Sequence, residues 1–202
     1  VHGADIEIHK RIPVGAGMAG GSADAAAVLR GMNELFERRV SDARLEEIAG
    51  DVGSDVPFCV RGGTVLAEGR GEVLSPLPPL PECVFVICKP DFSISTPELF
   101  KKLDMVRSHH HPDTAGIVAA LKTRDLPQLC RRMYNVFENV DDRRMKAVAE
   151  IKSALLDRGA LGAVMTGTGS AVFGIYGSES AAAAACDALK EDYGFCCTAK
   201  PV

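Results

Sequence analysis

The sequence predicts an α+β fold with an antiparallel sheet, and three observations in its second half support this. A short continuous apolar run over 83–88 indicates a buried strand. Strand patterns over 162–165 and 171–176 are separated by a glycine-rich turn. An alanine-rich helix over 178–190 leads into a last strand near 195–199. We therefore expect an antiparallel sheet with helices packed on one of its faces.

The first part of the chain combines one strand pattern with two helix patterns. Residues 5–12 alternate between isoleucines and polar side chains, which predicts a strand with one solvated face. Apolar residues at three- and four-residue spacing predict a helix over 22–36. A second helix, over 42–50, follows Ser41, whose residue type caps helix N termini. Residues 59–74 contain glycine turns and predict short strands joined by them.

A proline-rich stretch divides the sequence. Four prolines lie between Ser75 and Pro81, and such a stretch is typical of a domain boundary. We therefore predict a first domain over 1–76 and a second over 77–202. Thr96 and Pro97 open a helix in the second domain, and the longest helix pattern runs over about 141–157.

Composition limits the classes of partner. The formal net charge is -4, so no general positive field attracts nucleic acid or an anionic membrane. Seven cysteines form no C-x-x-C pair, which is typical of a reducing compartment. No segment resembles a signal peptide or a membrane span. We expect a cytoplasmic protein, with neither nucleic acid nor a membrane as partner.

A glycine-rich segment between the first strand and the first helix predicts a phosphate site. Glycines bring backbone amides close to a ligand, and a helix N terminus favours anions. The alternative is an ordinary strand-to-helix turn that binds no ligand. The segment consists of Pro13, Val14, Gly15, Ala16, Gly17, Met18, Ala19, Gly20, Gly21, Ser22 and Ala23.

Two common phosphate loops do not fit this segment. A P-loop needs lysine directly before the serine or threonine that opens its helix, and the residue before Ser22 is Gly21. The spacing of Gly15, Gly17 and Gly20 satisfies the dinucleotide fingerprint. That fold, which would make the protein an oxidoreductase, needs a second parallel strand about 20 residues later. Here one helix pattern follows another.

The segment resembles the motif of the GHMP kinases (galactose, homoserine, mevalonate and phosphomevalonate kinases). Their hallmark is proline, three residues, and Gly-Leu-Gly-Ser-Ser-Ala at a helix start. Gly20 and Gly21, which replace two serines of this motif, resemble the motif of the branch that acts on a cytidine diphosphate-linked methylerythritol. The other matching stretches are Val52-Gly53-Ser54-Asp55-Val56-Pro57-Phe58 with Arg61-Gly62-Gly63, then Ser93-Ile94-Ser95-Thr96-Pro97, and Met165-Thr166-Gly167-Thr168-Gly169-Ser170.

The resemblance implies a fold and a reaction. The fold is the two-domain GHMP kinase architecture, with part of a ribosomal protein S5 domain 2-like N-terminal domain and a ferredoxin-like C-terminal domain. The reaction is phosphorylation of the 2-hydroxyl of the methylerythritol substrate by ATP, with Mg²⁺, in isoprenoid precursor synthesis. Homoserine or mevalonate as acceptor, or a non-catalytic nucleotide-binding module, are the alternatives.

The resemblance also implies roles for single residues. Asp55 contacts the acceptor hydroxyl, although the residue types alone favour a helix cap. Thr96 and Phe100 border the cytidine, the ring of Phe100 stacking on the base, although such a phenylalanine more often belongs to a core. Three further residues close the phosphate site, although their position between two strands also suits a plain hairpin turn. That group is Gly167, Thr168 and Gly169.

Two expectations concern what the chain lacks. Family members place a catalytic lysine near their N terminus, and this sequence resembles the family only from the middle of its first domain onward. Lys10 belongs to the predicted strand before the glycine-rich segment, so we do not expect it to replace that lysine. We expect an N-terminal segment to be missing and the chain alone to be inactive. Related kinases bind magnesium through a serine at the position of Gly21, which leaves Ser22 as the nearest candidate ligand.

Overall fold

The structure, a computed structural model, describes residues 3–37, 40–106 and 110–202. Contacts divide the chain into two compact units. The first comprises Val1–Val14, Ala19–Gly62 and Ala67–Leu74, and the second comprises Gly15–Met18, Gly63–Leu66 and Ser75–Val202. Because the units interleave along the chain, the boundary between residues 76 and 77 stays a prediction.

The first unit is built on three helices, α1 (Gly20–Leu35), α2 (Asp42–Val52) and α3 (Val56–Arg61). The predictions of the first two are confirmed, and the Ser41 hydroxyl accepts a hydrogen bond from the Arg44 N–H at 3.3 Å. Burial of one apolar face on each helix holds the unit together. The buried residues of this cluster are Ala26, Leu45, Ala49, Val56 and Val60.

The predicted strand over 5–12 is wrong. The described residues 3–12 contain no strand. Alternation alone does not make a strand, because the backbone groups need a paired neighbour. Ile6 and Ile8 accordingly remain 57% and 53% exposed. Residues of this segment and of α1 line a groove of about 720 Å³.

The stretch over 59–74 is only partly as predicted. Residues 59–61 are the last turn of α3 and not a strand, because Pro57 opens a helix that buries Val60. Gly62, at a φ of 72°, ends that helix. Two strands then form a hairpin, β1 (Val65–Glu68) and β2 (Val73–Pro76), whose residues are divided between the two units.

The second unit contains a four-stranded antiparallel sheet. Its strands are β3 (Val84–Lys89), β4 (Gly162–Met165), β5 (Val172–Tyr176) and β6 (Phe195–Ala199), in the spatial order β4-β5-β3-β6. Helices connect β3 to β4 and β5 to β6, which gives the ferredoxin-like topology. This confirms the predicted α+β class and the predicted C-terminal fold. The helices are α4 (Thr96–Asp104), α5 (Thr114–Lys122), α6 (Leu126–Arg131), α7 (Arg144–Asp157) and α8 (Glu179–Leu189), with a 3₁₀ helix over Val136–Asn139.

Helices cover both faces of this sheet, so the expectation of one covered face is wrong. Side chains of β3 alternate between two cores, as the pleat of a strand requires. Val86 faces the core with α7 and α8, whereas Phe85 packs against the core with α5 and α6. The continuous apolar run of β3 follows from burial on both faces.

Candidate nucleotide and substrate site

Residues 15–18 pack against the turn after β4 in the second unit. The Thr166 hydroxyl donates to the Gly17 carbonyl at 2.9 Å, and the Ala171 N–H donates to the Ala16 carbonyl at 3.0 Å. Gly17 has a φ of 71°, and a Cβ there would overlap the Thr166 carbonyl and lie 2.9 Å from the Gly169 nitrogen. Glycine is therefore required at residue 17 for both its conformation and this close approach.

The turn formed by residues 166–170 brings together three predicted site residues. Gly167 and Gly169 have φ values of 52° and 83°, which favour glycine. The Thr168 hydroxyl lies 2.8 Å from the Thr96 hydroxyl. The structure thus places the predicted substrate-binding threonine directly against the predicted phosphate-site turn.

Residues 19–23 form the start of α1 in the first unit. Ala19 is the N-cap residue, at a φ of 49°, and no side chain caps the helix. Its carbonyl accepts the first helical bond, from the Ala23 N–H at 2.8 Å. The amides of the first turn have no acceptor within the helix. A Cβ on Gly21 would meet nothing within 4 Å, so this turn has open space beside it.

Lys10 lies beside this first turn. Its Nζ donates to the Gly20 carbonyl at 3.1 Å and forms an ion pair with Asp24. The pair offsets a carboxylate that would otherwise oppose an anion at the positive end of α1. The sequence pattern did not predict this contact, because it placed Lys10 in a strand.

Asp55 is the residue before α3, but its side chain makes no capping hydrogen bond. Other aspartates in the same position behave differently. Asp113 and Asp125 each accept a backbone N–H at 2.9 Å, from Gly116 and Gln128 respectively. Asp55 is also exposed. The arrangement leaves its carboxylate available to a ligand.

Thr96 and Phe100 lie on the first turns of α4. The Phe100 ring packs edge-to-face against Phe137, with ring centroids 4.9 Å apart and an interplanar angle of 77°. Phe100 nevertheless remains 48% exposed, which leaves ring surface for a planar base. The core alternative for Phe100 therefore accounts for only part of its surface.

A buried carboxylate fixes the other side of α4. Asp142 accepts hydrogen bonds from Arg144 and, at 2.7 Å, from Lys102 of α4. The bonds from Arg144 come first among the causes that hold the pKa of Asp142 well below its ordinary value. Glu98 of α4 also pairs with Arg144, at 2.7 Å. The sequence pattern did not predict this cluster, because its two halves, on α4 and at 142–144, lie about 40 residues apart.

The described residues contain no group of three or more histidine, cysteine or carboxylate side chains that could hold a metal ion. Ser22, the candidate magnesium ligand, is half-buried in the first turn of α1. Among the helices described, none is long and apolar enough to span a membrane.

An uncapped helix N terminus preceded by glycines is a phosphate-binding arrangement, and here it accompanies a ferredoxin-like unit. Such features occur together in nucleotide-binding α+β proteins. Two family models match the chain, the N-terminal domain of GHMP kinases over residues 2–63 and the C-terminal domain over 117–194. The chain belongs to the GHMP kinase family, whose members are small-molecule kinases.

The chain is similar to one branch of that family. It is 44% identical over 191 residues to 4-diphosphocytidyl-2-C-methyl-D-erythritol kinase of Syntrophomonas wolfei, covering 95% of this chain and 67% of that protein. A crystal structure of 4-(cytidine 5'-diphospho)-2C-methyl-D-erythritol kinase matches with a TM-score of 0.79 at 31% identity, covering 95% of this chain and 68% of that one. Homoserine kinase from Cytophaga hutchinsonii matches at 22% identity and a TM-score of 0.76, covering 96% of this chain and 68% of that one, which shows a shared fold.

Proposed function

We propose that this chain belongs to an enzyme that transfers the γ-phosphoryl group of ATP to the 2-hydroxyl of 4-diphosphocytidyl-2-C-methyl-D-erythritol. The observation that carries the proposal is the 44% identity, over 95% of the chain, to a kinase named for that substrate. The sequence identity to homoserine kinase from Cytophaga hutchinsonii is only 22%. The reaction belongs to isoprenoid precursor synthesis in the cytoplasm, and its partners are small molecules.

ATP would bind the glycine-rich segment 13–23. The amides of Gly20, Gly21 and Ser22 lie in the uncapped first turn of α1 and would donate to phosphate oxygens. The ion pair between Lys10 and Asp24 reduces the negative charge nearby.

The acceptor hydroxyl would be held by Asp55. The oxygen of the acceptor hydroxyl would form a bond to the γ-phosphorus. The bond from that phosphorus to the β,γ-bridging oxygen would break at the same time, which releases ADP. The hydroxyl proton passes to the Asp55 carboxylate or is oriented by it during transfer. The absence of a side-chain cap at α3 supports this role, since it leaves the carboxylate oxygens without a competing N–H donor.

Magnesium would bind with the nucleotide. When bound, it neutralises charge on the β- and γ-phosphates. Mg²⁺ prefers oxygen ligands and keeps several waters, so the Ser22 hydroxyl together with phosphate oxygens and water is a suitable set. This fits the described residues, which offer no cage of carboxylates or histidines.

The cytidine would lie against α4. The exposed surface of Phe100 would stack on the cytosine, and the Thr96 hydroxyl would lie at its edge. The edge-to-face contact with Phe137 restricts the Phe100 ring on one side. This contact lowers the ordering cost of binding the base, because it limits the orientations of the free ring.

The test is acceptor-dependent ADP formation by the gene product that contains this chain. We expect ADP with the cytidine-linked methylerythritol substrate and none above background with homoserine or mevalonate. ADP formation with one of these instead would assign a different acceptor. ATP binding without ADP formation, with all three acceptors, would indicate a non-catalytic module.

A further inference from the structure

Asn135 precedes the 3₁₀ helix Val136–Asn139 and makes three hydrogen bonds with its side chain. Its Nδ2 donates to the carbonyls of Met165 and Gly167, both at 2.8 Å. Its Oδ1 accepts from the Phe137 N–H at 3.0 Å. Both amide hydrogens are therefore committed to the chain around the turn 166–170, and the oxygen is fixed by the helix that follows.

Glu138 adds a bond to the same stretch. Its Oε1 accepts from the Met165 N–H at 2.8 Å, and its other oxygen pairs with Lys152 of α7. Both backbone groups of Met165, the last residue of β4, are thus bound by side chains of the segment 135–138. The start of the turn is held at a fixed position relative to α7.

Gly167, whose carbonyl is bound by Asn135, contacts the candidate site directly. A Cβ on Gly167 would lie 3.0 Å from the Gly17 carbonyl, so the turn lies directly against residues 15–18. The next residue, Thr168, contacts Thr96. A shift of Gly167 would therefore change the positions of both Gly17 and Thr168.

We infer that Asn135 is a positioning residue that keeps the turn 166–170 in its nucleotide-binding shape. This role rests on the proposed function, because it assumes that residues 15–18 and the turn close around ATP. The two carbonyls bound by Asn135 need a neutral side chain with two donors. An aspartate of the same shape would instead direct a carboxylate oxygen at two carbonyl oxygens.

The test compares Asn135→Asp with Asn139→Asp. Asn139 lies in the same 3₁₀ helix, and its amide donates to the Tyr134 hydroxyl at 2.6 Å, so the control makes an identical chemical change there. Hydrogen exchange of the amides over 165–171 reports the turn without any ligand, and calorimetric titration with Mg·ATP reports binding. We expect Asn135→Asp to accelerate exchange and to raise the Kd for ATP about tenfold, through loss of two hydrogen bonds. We expect Asn139→Asp to leave both unchanged.

Three results would overturn the inference. Unchanged exchange and Kd in Asn135→Asp, with only a lower Tm, would mean a purely structural asparagine. Faster exchange with an unchanged Kd would mean that the turn does not contribute to nucleotide binding. A wild-type protein that binds no ATP would refute both the inference and the proposed function. In that case the hydrogen-exchange data would still show whether Asn135 holds the turn 166–170. Asn135→Ala removes the same donors without adding charge and replaces Asn135→Asp if that variant does not fold.

Discussion

The side-chain hydroxyls of Thr96 and Thr168 lie 2.8 Å apart, although the residues are 72 positions apart in the sequence. Thr96 opens α4, which carries Phe100, and Thr168 lies in the turn that packs on residues 15–18. One hydrogen bond therefore links the two elements proposed to bind cytidine and phosphate.

A double-mutant cycle tests this link. Thr96→Val and Thr168→Val each remove one hydroxyl while keeping the shape of the side chain. We expect a coupling of about 0.5–1.5 kcal/mol in the free energy of unfolding, measured with urea, because the second substitution removes a bond that is already lost.

The control cycle pairs Thr96→Val with Thr123→Val. The Thr123 hydroxyl donates to the Ala119 carbonyl of its own helix and is unconnected to Thr96. That cycle should give no coupling. A coupling of zero between Thr96 and Thr168 would contradict the link.

Lys10 is expected to influence ATP affinity through Asp24. Lys10→Met leaves the Asp24 carboxylate unpaired near the N terminus of α1, where it opposes an anionic ligand. We expect the Kd for ATP, from titration at low salt, to rise about two- to fivefold. The rise should shrink at high salt, since this pair is partly exposed.

Two further variants separate this effect from a general loss of positive charge. Lys10→Met combined with Asp24→Asn should return the Kd close to its wild-type value. Lys146→Met, which removes a lysine that is 85% exposed on α7, should have no effect. An equal rise in Kd for Lys146→Met would contradict the explanation.

Asp142 makes the stability of the second unit depend on pH in acid. Its pKa in the folded protein is lowered below the ordinary value of 3.8, chiefly by hydrogen bonds from Arg144. The unfolded chain therefore takes up a proton first as the pH falls, which favours unfolding. The stabilisation by Asp142 is complete well above pH 4 and is lost progressively at lower pH.

Asp142→Asn should consequently lower the free energy of unfolding by about 1.5–3 kcal/mol at pH 7. The difference from wild type should shrink below about pH 4, as measured by urea unfolding across the acid range. Asp187→Asn, which breaks an exposed pair with Lys190, should cost less than about 1 kcal/mol. A difference for Asp142→Asn that stays constant down to pH 2 would contradict the assigned cause.

The sheet of the second unit was predictable because each strand carries its own local signal. The strand over 162–165 and the helix over 178–190 are bounded by glycine or serine, and their bounds agree with the structure within one residue. The run over 83–88 was correctly predicted as a buried strand, yet the helices on both faces were not expected. Local patterns report burial but do not identify the covering element.

The incorrectly predicted strand over 5–12 shows what a local pattern cannot predict. Its alternation is strong, but pairing depends on a neighbour that the pattern does not contain. The site divides in the same way. Gly17 was identified because glycines between a strand pattern and a helix pattern indicate a close backbone approach, and Gly167 because its stretch resembles a family motif. Asn135, Lys10 and Asp142 were missed because they act through partners 10 to 40 residues away.

Asp55 should be dispensable for stability, because its side chain makes no capping bond. Asp55→Ala is expected to change the free energy of unfolding by less than about 0.5 kcal/mol. Asp125→Ala, at a cap that accepts the Gln128 N–H, should cost about 1 kcal/mol. Urea unfolding of the two variants measures the difference, and an equal loss would mean that Asp55 is a structural cap.

The most direct test of the account is the rate at which Asp55→Asn transfers phosphate from ATP to 4-diphosphocytidyl-2-C-methyl-D-erythritol. The variant is made in the gene product that contains this chain and is compared with the wild type at saturating ATP. We predict a fall in kcat of about 10²-fold or more, with ATP affinity retained, because Asp55 orients or deprotonates the acceptor hydroxyl. A kcat near the wild-type value would contradict the assignment of Asp55 to the chemical step.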